Sequence, residues 1–312
     1  VSEDHRTLSV SGPRDRLREL LGLTEAELSG PAVVEPDTEA PAPPGGRAVR
    51  LVTGHGTVVA SFLLQPPPER SNGAGVVLVA GHGRGTDDLV RSDPADAYHD
   101  GLAHKMVRAG FTVLCPEMLS FGRRRFPRPP GATPYEEGES SCGVDAARTL
   151  LEGRPVLGHR VADALAAVRA LGRLPGVAPD RVVVAGGSGG GAVALLSAAV
   201  DCGVAGALVA TYFSSFAASI CAIRHCPCNI VPGLLPDLEM ADIAALVAPR
   251  PLVLEAGERD AIFPVAAARE SHARLEPVWA AAGGPPPPLV VTDGGHAFRA
   301  EESLRLLTAL VG

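Results

Sequence analysis

Lysine is almost missing from this chain of 312 residues: Lys105 is alone, and arginine carries the rest of the positive charge. Aromatic residues are scarce at 4%, and no apolar run approaches the roughly 20 residues that span a bilayer. Acidic groups outnumber basic ones to a net charge of −7, so there is no basic footprint for nucleic acid or an anionic membrane surface. The six cysteines, spread from Cys115 to Cys228, lack the dense spacing of a disulfide framework. Residues 1–6 are polar and hold no hydrophobic signal core. These absences lead us to expect a cytoplasmic protein with neither membrane nor nucleic-acid partners, and they leave a homo-oligomer open. Arginine in place of lysine, with abundant Ala, Gly and Pro, fits a GC-rich bacterial genome.

What is present has a regular order. A short amphipathic helix is expected over 13–21, between Ser11-Gly12 and Gly22, followed by a Pro-rich linker over 35–46. Residues 1–46 thus read as an appendage, and the pattern becomes periodic from Arg47. Runs at 47–53 and 57–64 flank a Gly54-His55-Gly56 turn and predict an antiparallel hairpin. The continuous apolar run at 75–80 predicts a strand buried on both faces. Strand-like runs at 111–115, 181–185, 205–210, 251–255 and 289–292 then alternate with helical stretches at 98–109, 157–171 and 300–311. That alternation implies one α/β domain over 47–312, a mostly parallel sheet with helices on both faces. Chemistry in such sheets gathers beyond the carboxyl ends of the strands.

The segment Gly186-Gly187-Ser188-Gly189-Gly190 follows the run RVVVA and precedes a helical one. This is G-x-S-x-G in a strand–turn–helix setting. Glycines let strand and helix approach around a sharp turn, which pushes the serine hydroxyl outward at a helix N-terminus. Gly187, Gly189 and Ala192 also satisfy a loose dinucleotide fingerprint. No acidic residue closes a strand about 20 residues later, and no Gly-Lys-Ser/Thr phosphate loop is present, so that reading is weak.

A serine hydroxyl needs a base, and the base needs an orienting acid. Asp260 follows the strand-like PLVLEAG, and His296 follows LVVTDGG, in the order Ser, Asp, His. Glu258 is the alternative acid, whereas His272 lies inside a helical stretch. Ala80-Gly81-His82-Gly83-Arg84-Gly85 follows the strand at 75–80 and can offer the backbone N–H of His82 to an oxyanion, opposite that of Gly189.

With these residues placed, the chain resembles the α/β-hydrolase superfamily over about 47–312, and within it the dienelactone hydrolase and acetyl xylan esterase-like branch. The resemblance is carried by AGHGRG at 80–85, GHRVAD at 158–163, GGSGGG at 186–191, Ala248-Pro249-Arg250-Pro251, Gly257-Glu258-Arg259-Asp260 with Pro264, and Gly295-His296. It implies an α/β-hydrolase fold, with a small-molecule ester, lactone or thioester cleaved through an acyl-enzyme on Ser188. It also implies that the break in alternation over about 212–246 is a cap insertion. Two departures stand out: dienelactone hydrolases proper use cysteine where this chain has Ser188, and Ala80-Gly81 replaces the His-Gly pair that often opens the anion-hole loop. The elbow alone does not separate hydrolysis from acyl transfer, lactone formation or lyase chemistry, nor from a non-catalytic ligand-binding relative.

Candidate substrate contacts are Phe213, Phe216 and His225 in the insertion, with Arg123 and Arg124 after the strand at 111–115. Glu136, Glu137 and Glu139 are placed to neutralise those arginines. His225-Cys226-Pro227-Cys228 invites a zinc reading. A fourth ligand at suitable spacing is missing, so packed thiols are expected, with neither metal nor cofactor.

Overall fold

The computed structural model describes residues 12–91, 98–99, 101–235 and 237–312. In chain order, α1 (Pro13–Leu20) and α2 (Glu25–Ser29) precede β1 (Ala32–Pro36), β2 (Arg47–Thr53), β3 (Val58–Leu64) and β4 (Gly75–Val79). Next come α3 (Thr86–Val90), α4 (Leu102–Arg108), β5 (Thr112–Pro116), α5 (Cys142–Leu151) and α6 (Val156–Leu171). The central unit is β6 (Val182–Gly187), α7 (Gly189–Val200) and β7 (Ala207–Ala210). The chain closes with α8 (Met240–Ala245), β8 (Leu252–Gly257), α9 (Val265–Ala273), α10 (Glu276–Ala281), β9 (Leu289–Thr292) and α11 (Glu302–Val311).

All nine strands form one sheet in the order β1-β2-β3-β5-β4-β6-β7-β8-β9. The first three pairings are antiparallel, including the hairpin expected at Gly54–Gly56, and β5 through β9 run parallel. Successive residues of a strand face opposite sides, and β4 shows the consequence. Val77 and Val79 enter the core beneath α1, α6 and α7, while Val76 and Leu78 enter the core beneath α4 and α11. A strand covered on both faces has no polar position to spare, which is why β4 reads as an unbroken apolar run. Because β4, β6, β8 and β9 are parallel, the segments that follow them meet along one edge of the sheet.

The N-terminal segment is bound more closely than its composition implies. Leu17 and Leu21 are fully buried in the α6–α7 core. Arg14 donates to the Ala199 and Leu246 carbonyls at 2.7 and 2.8 Å, and Arg18 donates to Val200 at 2.8 Å, close to the C-terminus of α7. Residues 32–36, partly assigned to the linker from sequence, pair with β2 and cover the free hydrogen-bonding edge of the sheet. The helix expected at 98–109 starts at Leu102, where Gly101 takes the left-handed conformation at the N-cap. Among the described residues, no helix is long and apolar enough to cross a membrane.

Candidate active site

Ser188 joins β6 to α7 with φ 54° and ψ −121°, a strained conformation for a residue with a side chain. Its N–H is held by the Ala210 carbonyl at 2.9 Å and Thr211 Oγ1 at 3.2 Å. The flanking glycines are required by space. A Cβ on Gly186 would stand 2.4 Å from the Gly190 carbonyl oxygen, and one on Gly190 would stand 2.2 Å from that of Val79. The sequence is glycine-rich here because the turn closes on itself and the start of α7 presses against the ends of β4 and β7.

His296 follows β9, and its Nδ1 lies 2.8 Å from Asp260 Oδ2. Asp260, in the turn after β8, is only 5% exposed. Its other oxygen, Oδ1, accepts the N–H groups of Ile262 and Phe263 at 2.8 and 3.1 Å. The Phe263 ring stacks on the imidazole at 5.8 Å between centroids and 21° between planes. The alternative acid, Glu258, pairs instead with Arg269 on the surface. His272 spends Nε2 on the Pro287 carbonyl at 2.6 Å.

Tyr98, which carried no signal in the sequence, stands against both halves of this arrangement. Its ring centroid is 5.5 Å from that of His296, and its hydroxyl is 3.1 Å from Thr211 Oγ1 and also engages the Ser188 hydroxyl. Burial raises the Tyr98 phenol above the usual tyrosine range, so it stays protonated. Among the described residues no hydrogen bond joins Ser188 directly to His296; the phenol is their common neighbour. Such contacts commonly tighten only when substrate is bound.

The loop after β4 runs against the elbow. A Cβ on Gly81 would approach the Ser188 Cβ to 3.4 Å, and one on Gly189 would lie 4.0 Å from the His82 backbone nitrogen. The first N–H groups of a helix lack partners within it, and Gly189 stands at the start of α7 with His82 across from it.

Two buried glutamates brace these loops, and the sequence reading missed both. Glu117, just after β5, accepts the Thr86 N–H at 3.0 Å and the Thr86 hydroxyl at 3.1 Å, fixing the loop that carries His82. Gly85 and Gly122 have positive φ, and a Cβ on either would come within 2.2 Å of the Glu117 carboxylate. Glu255, within β8, accepts the Arg299 N–H at 2.7 Å and the Ala300 N–H at 3.2 Å, and also the Ser303 hydroxyl, fixing the segment after His296. Burial raises both carboxyls above the ordinary range, and these donors oppose the shift. Glu117→Ala leaves the Thr86 N–H without its acceptor. We expect a stability loss of about 1–3 kcal/mol in urea melts, and a fall in kcat of roughly tenfold or more with KM nearly unchanged. An unaltered kcat would confine Glu117 to folding.

The other sequence candidates are placed as follows. Arg124 donates to Asp163 at 2.6 Å and to the Glu117 carbonyl at 2.8 Å, tying β5 to α6. Arg123 lies over the Phe62 ring at 4.5 Å and reaches Thr86 Oγ1 at 3.3 Å. Glu137 pairs with Arg84 and Arg91, and Glu139 with Arg128. Phe213 and Phe216 are buried in the α6–α7 core. His225 is half-buried beside Phe263, with ring centroids 5.9 Å apart, and so reaches the neighbourhood of His296.

The family model described as the dienelactone hydrolase family matches residues 76–303, from β4 through the start of α11. The chain belongs to the dienelactone hydrolase family. This family member is a carboxylic ester hydrolase of the α/β-hydrolase fold, with serine in the elbow. Solved structures share the fold at low identity. A glucuronoyl esterase from Solibacter usitatus is 16% identical with a TM-score of 0.61, covering 95% of this chain and 92% of that one. A family 15 glucuronoyl esterase from Caldicellulosiruptor kristjansonii is 14% identical with a TM-score of 0.64, covering 94% and 82%. Acetyl xylan esterase 1 from Thermoanaerobacterium sp. JW/SL YS485 is 16% identical with a TM-score of 0.53, covering 96% and 93%. Comparison with curated proteins finds no match by sequence.

Proposed function

We propose that this hydrolase cleaves a small carboxylic ester through an acyl-enzyme on Ser188, with His296 as general base and Asp260 as the residue that orients it. The observation that carries the reading is the Asp260–His296 hydrogen bond at the edge of the sheet where Ser188 stands in its strained turn. Asp260 holds the proton of His296 on Nδ1, which leaves Nε2 unprotonated and able to accept a proton from the Ser188 hydroxyl. The serine oxygen attacks the ester carbonyl, and the carbonyl oxygen gains negative charge between the N–H groups of His82 and Gly189. His296 returns its proton to the leaving alkoxide. Water then repeats the sequence on the acyl-enzyme and frees the acid.

Of the five substrate candidates, His225 is the one we retain, because Phe263 links it to His296. The other four side chains have packing or hydrogen-bonding partners of their own in the fold. Structures sharing this fold are named for esters of sugars, so acetylated sugars and alkyl uronates head the list of substrates to try. Treatment with a fluorophosphonate and peptide mapping should place one adduct on Ser188, with parallel loss of aryl acetate turnover. An adduct on another residue, or full turnover by the labelled protein, would refute the assignment.

A further inference from the structure

Among the described residues, Arg160 is the largest fully buried side chain, and no carboxylate among them meets its charge. Its guanidinium donates to the Leu119 carbonyl at 2.8 and 3.0 Å, to Cys228 Sγ at 3.4 Å and to Cys142 Sγ at 3.3 Å, and it lies over the Phe121 ring at 4.3 Å. Arginine does not lose its proton in proteins, and an isolated buried charge is strongly unfavourable. Beside the Leu119 carbonyl and the Phe121 ring, the groups at the guanidinium able to take up a negative charge are the two sulfurs.

These two sulfurs belong to a larger cluster of donors. Cys142 at the start of α5, Cys226 and Cys228 after β7, and the imidazole of His82 place one donor atom each within 4.8 Å of one another. Cys226 Sγ and His82 Nε2 each lie 3.2 Å from Cys228 Sγ. Four donors bound to zinc at about 2.3 Å for sulfur and 2.0–2.1 Å for nitrogen would be separated by roughly 3.5–3.8 Å. The observed cluster needs to open by only a fraction of an ångström at its closest pairs. We propose that His82, Cys142, Cys226 and Cys228 form a closed, tetrahedral Zn²⁺ site of structural type.

The charges balance. Three cysteines each release a proton on binding and become thiolates, histidine remains neutral, and the dication leaves one negative charge over, which Arg160 cancels. The Cys-x-Cys segment showed only half of the set. The missing donors come from residues 84 or more positions before Cys226, and the histidine is His82 rather than the adjacent His225, whose ring faces Phe263.

The site would join three segments that the sheet leaves separate: the loop after β4, the first turn of α5, and the connection after β7. With Nε2 on the metal, the His82 ring is fixed with Nδ1 toward Gly189, where a Cβ would approach it to 3.2 Å. The metal would thereby brace the loop whose backbone is assigned to the oxyanion. That consequence rests on the esterase reading; the site itself does not.

Metal content of untagged protein, isolated with reductant and without chelator, is expected to be about one zinc per chain by plasma mass spectrometry. Cys226→Ser, at a half-buried ligand, should lower it severalfold. Zinc X-ray absorption on the unaltered protein guards against a variant that fails to fold; it should show three sulfur neighbours and one nitrogen at the distances given above. Protein that stays below a tenth of an equivalent after reconstitution, a shell of oxygen and nitrogen alone, or a Cys226–Cys228 disulfide in freshly isolated material would each overturn the proposal. Zinc present with unaltered ester turnover after its removal would overturn only the bracing role.

Discussion

Ser188→Ala should lower kcat for an aryl ester by on the order of a million-fold, with the folded state intact. The alanine removes the attacking oxygen and its contact with the Tyr98 phenol, but none of the backbone bonds that hold the turn. The backbone N–H of residue 188 still reaches Ala210 and Thr211, and the flanking glycines still accommodate the approach of strand and helix. His296→Ala should cost nearly as much, since without a base the hydroxyl is a poor nucleophile. The double variant should be little worse than either single one, because serine and histidine act on the same proton. Kinetics on the three variants, with far-UV dichroism as a control, check this. Losses that multiply would mean that the two residues work independently.

Asp260→Asn is expected to lower kcat by about ten-thousandfold while preserving the shape of the site. The reason lies in the two sides of the carboxylate. Oδ1 accepts from Ile262 and Phe263, so the carbonyl oxygen of an asparagine is held on that side. Its NH2 group then faces His296 Nδ1, which has to accept rather than donate. The imidazole proton moves to Nε2, where the base needs a lone pair. Glu258→Gln should leave turnover within about twofold, because that carboxylate faces Arg269 and solvent, and surface changes of this kind are normally small in effect. Steady-state rates for the two variants separate the roles. Equal losses would show that the acid had been misassigned.

The fold was legible wherever burial is two-sided or periodic. β4 and β6 have no polar side to hide their pattern, and α6 repeats its apolar residues at helical spacing. β1 was not legible, because its short run gains its status from the open edge of β2, a property of another segment. The same distinction runs through the site. The GGSGGG turn is local as a pattern, although most of the crowding that demands its glycines comes from Val79, Ala210, Tyr98 and Phe298, which are remote in sequence. Tyr98, Glu117 and Glu255 act on loops reached only through the folded sheet, so no spacing along the chain reveals them. Arg124 looked like a free cation after a strand, and its partner Asp163 lies 39 residues away on α6. The proposed zinc donors are the extreme case: Cys226 and Cys228 stand two residues apart, while His82 and Cys142 arrive from two other parts of the chain.

Three residues far apart in the chain are held to act on a single oxygen, and a crystal structure of the phosphonylated enzyme examines that most directly. Phosphorus is expected on Ser188 Oγ, with His296 Nε2 within hydrogen-bond reach of that oxygen or of the alkoxy oxygen, and the phosphoryl oxygen roughly 2.7–3.1 Å from the backbone nitrogens of His82 and Gly189. An adduct on Ser188 with the imidazole beyond hydrogen-bond reach of it, and the phosphoryl oxygen open to solvent, would contradict it.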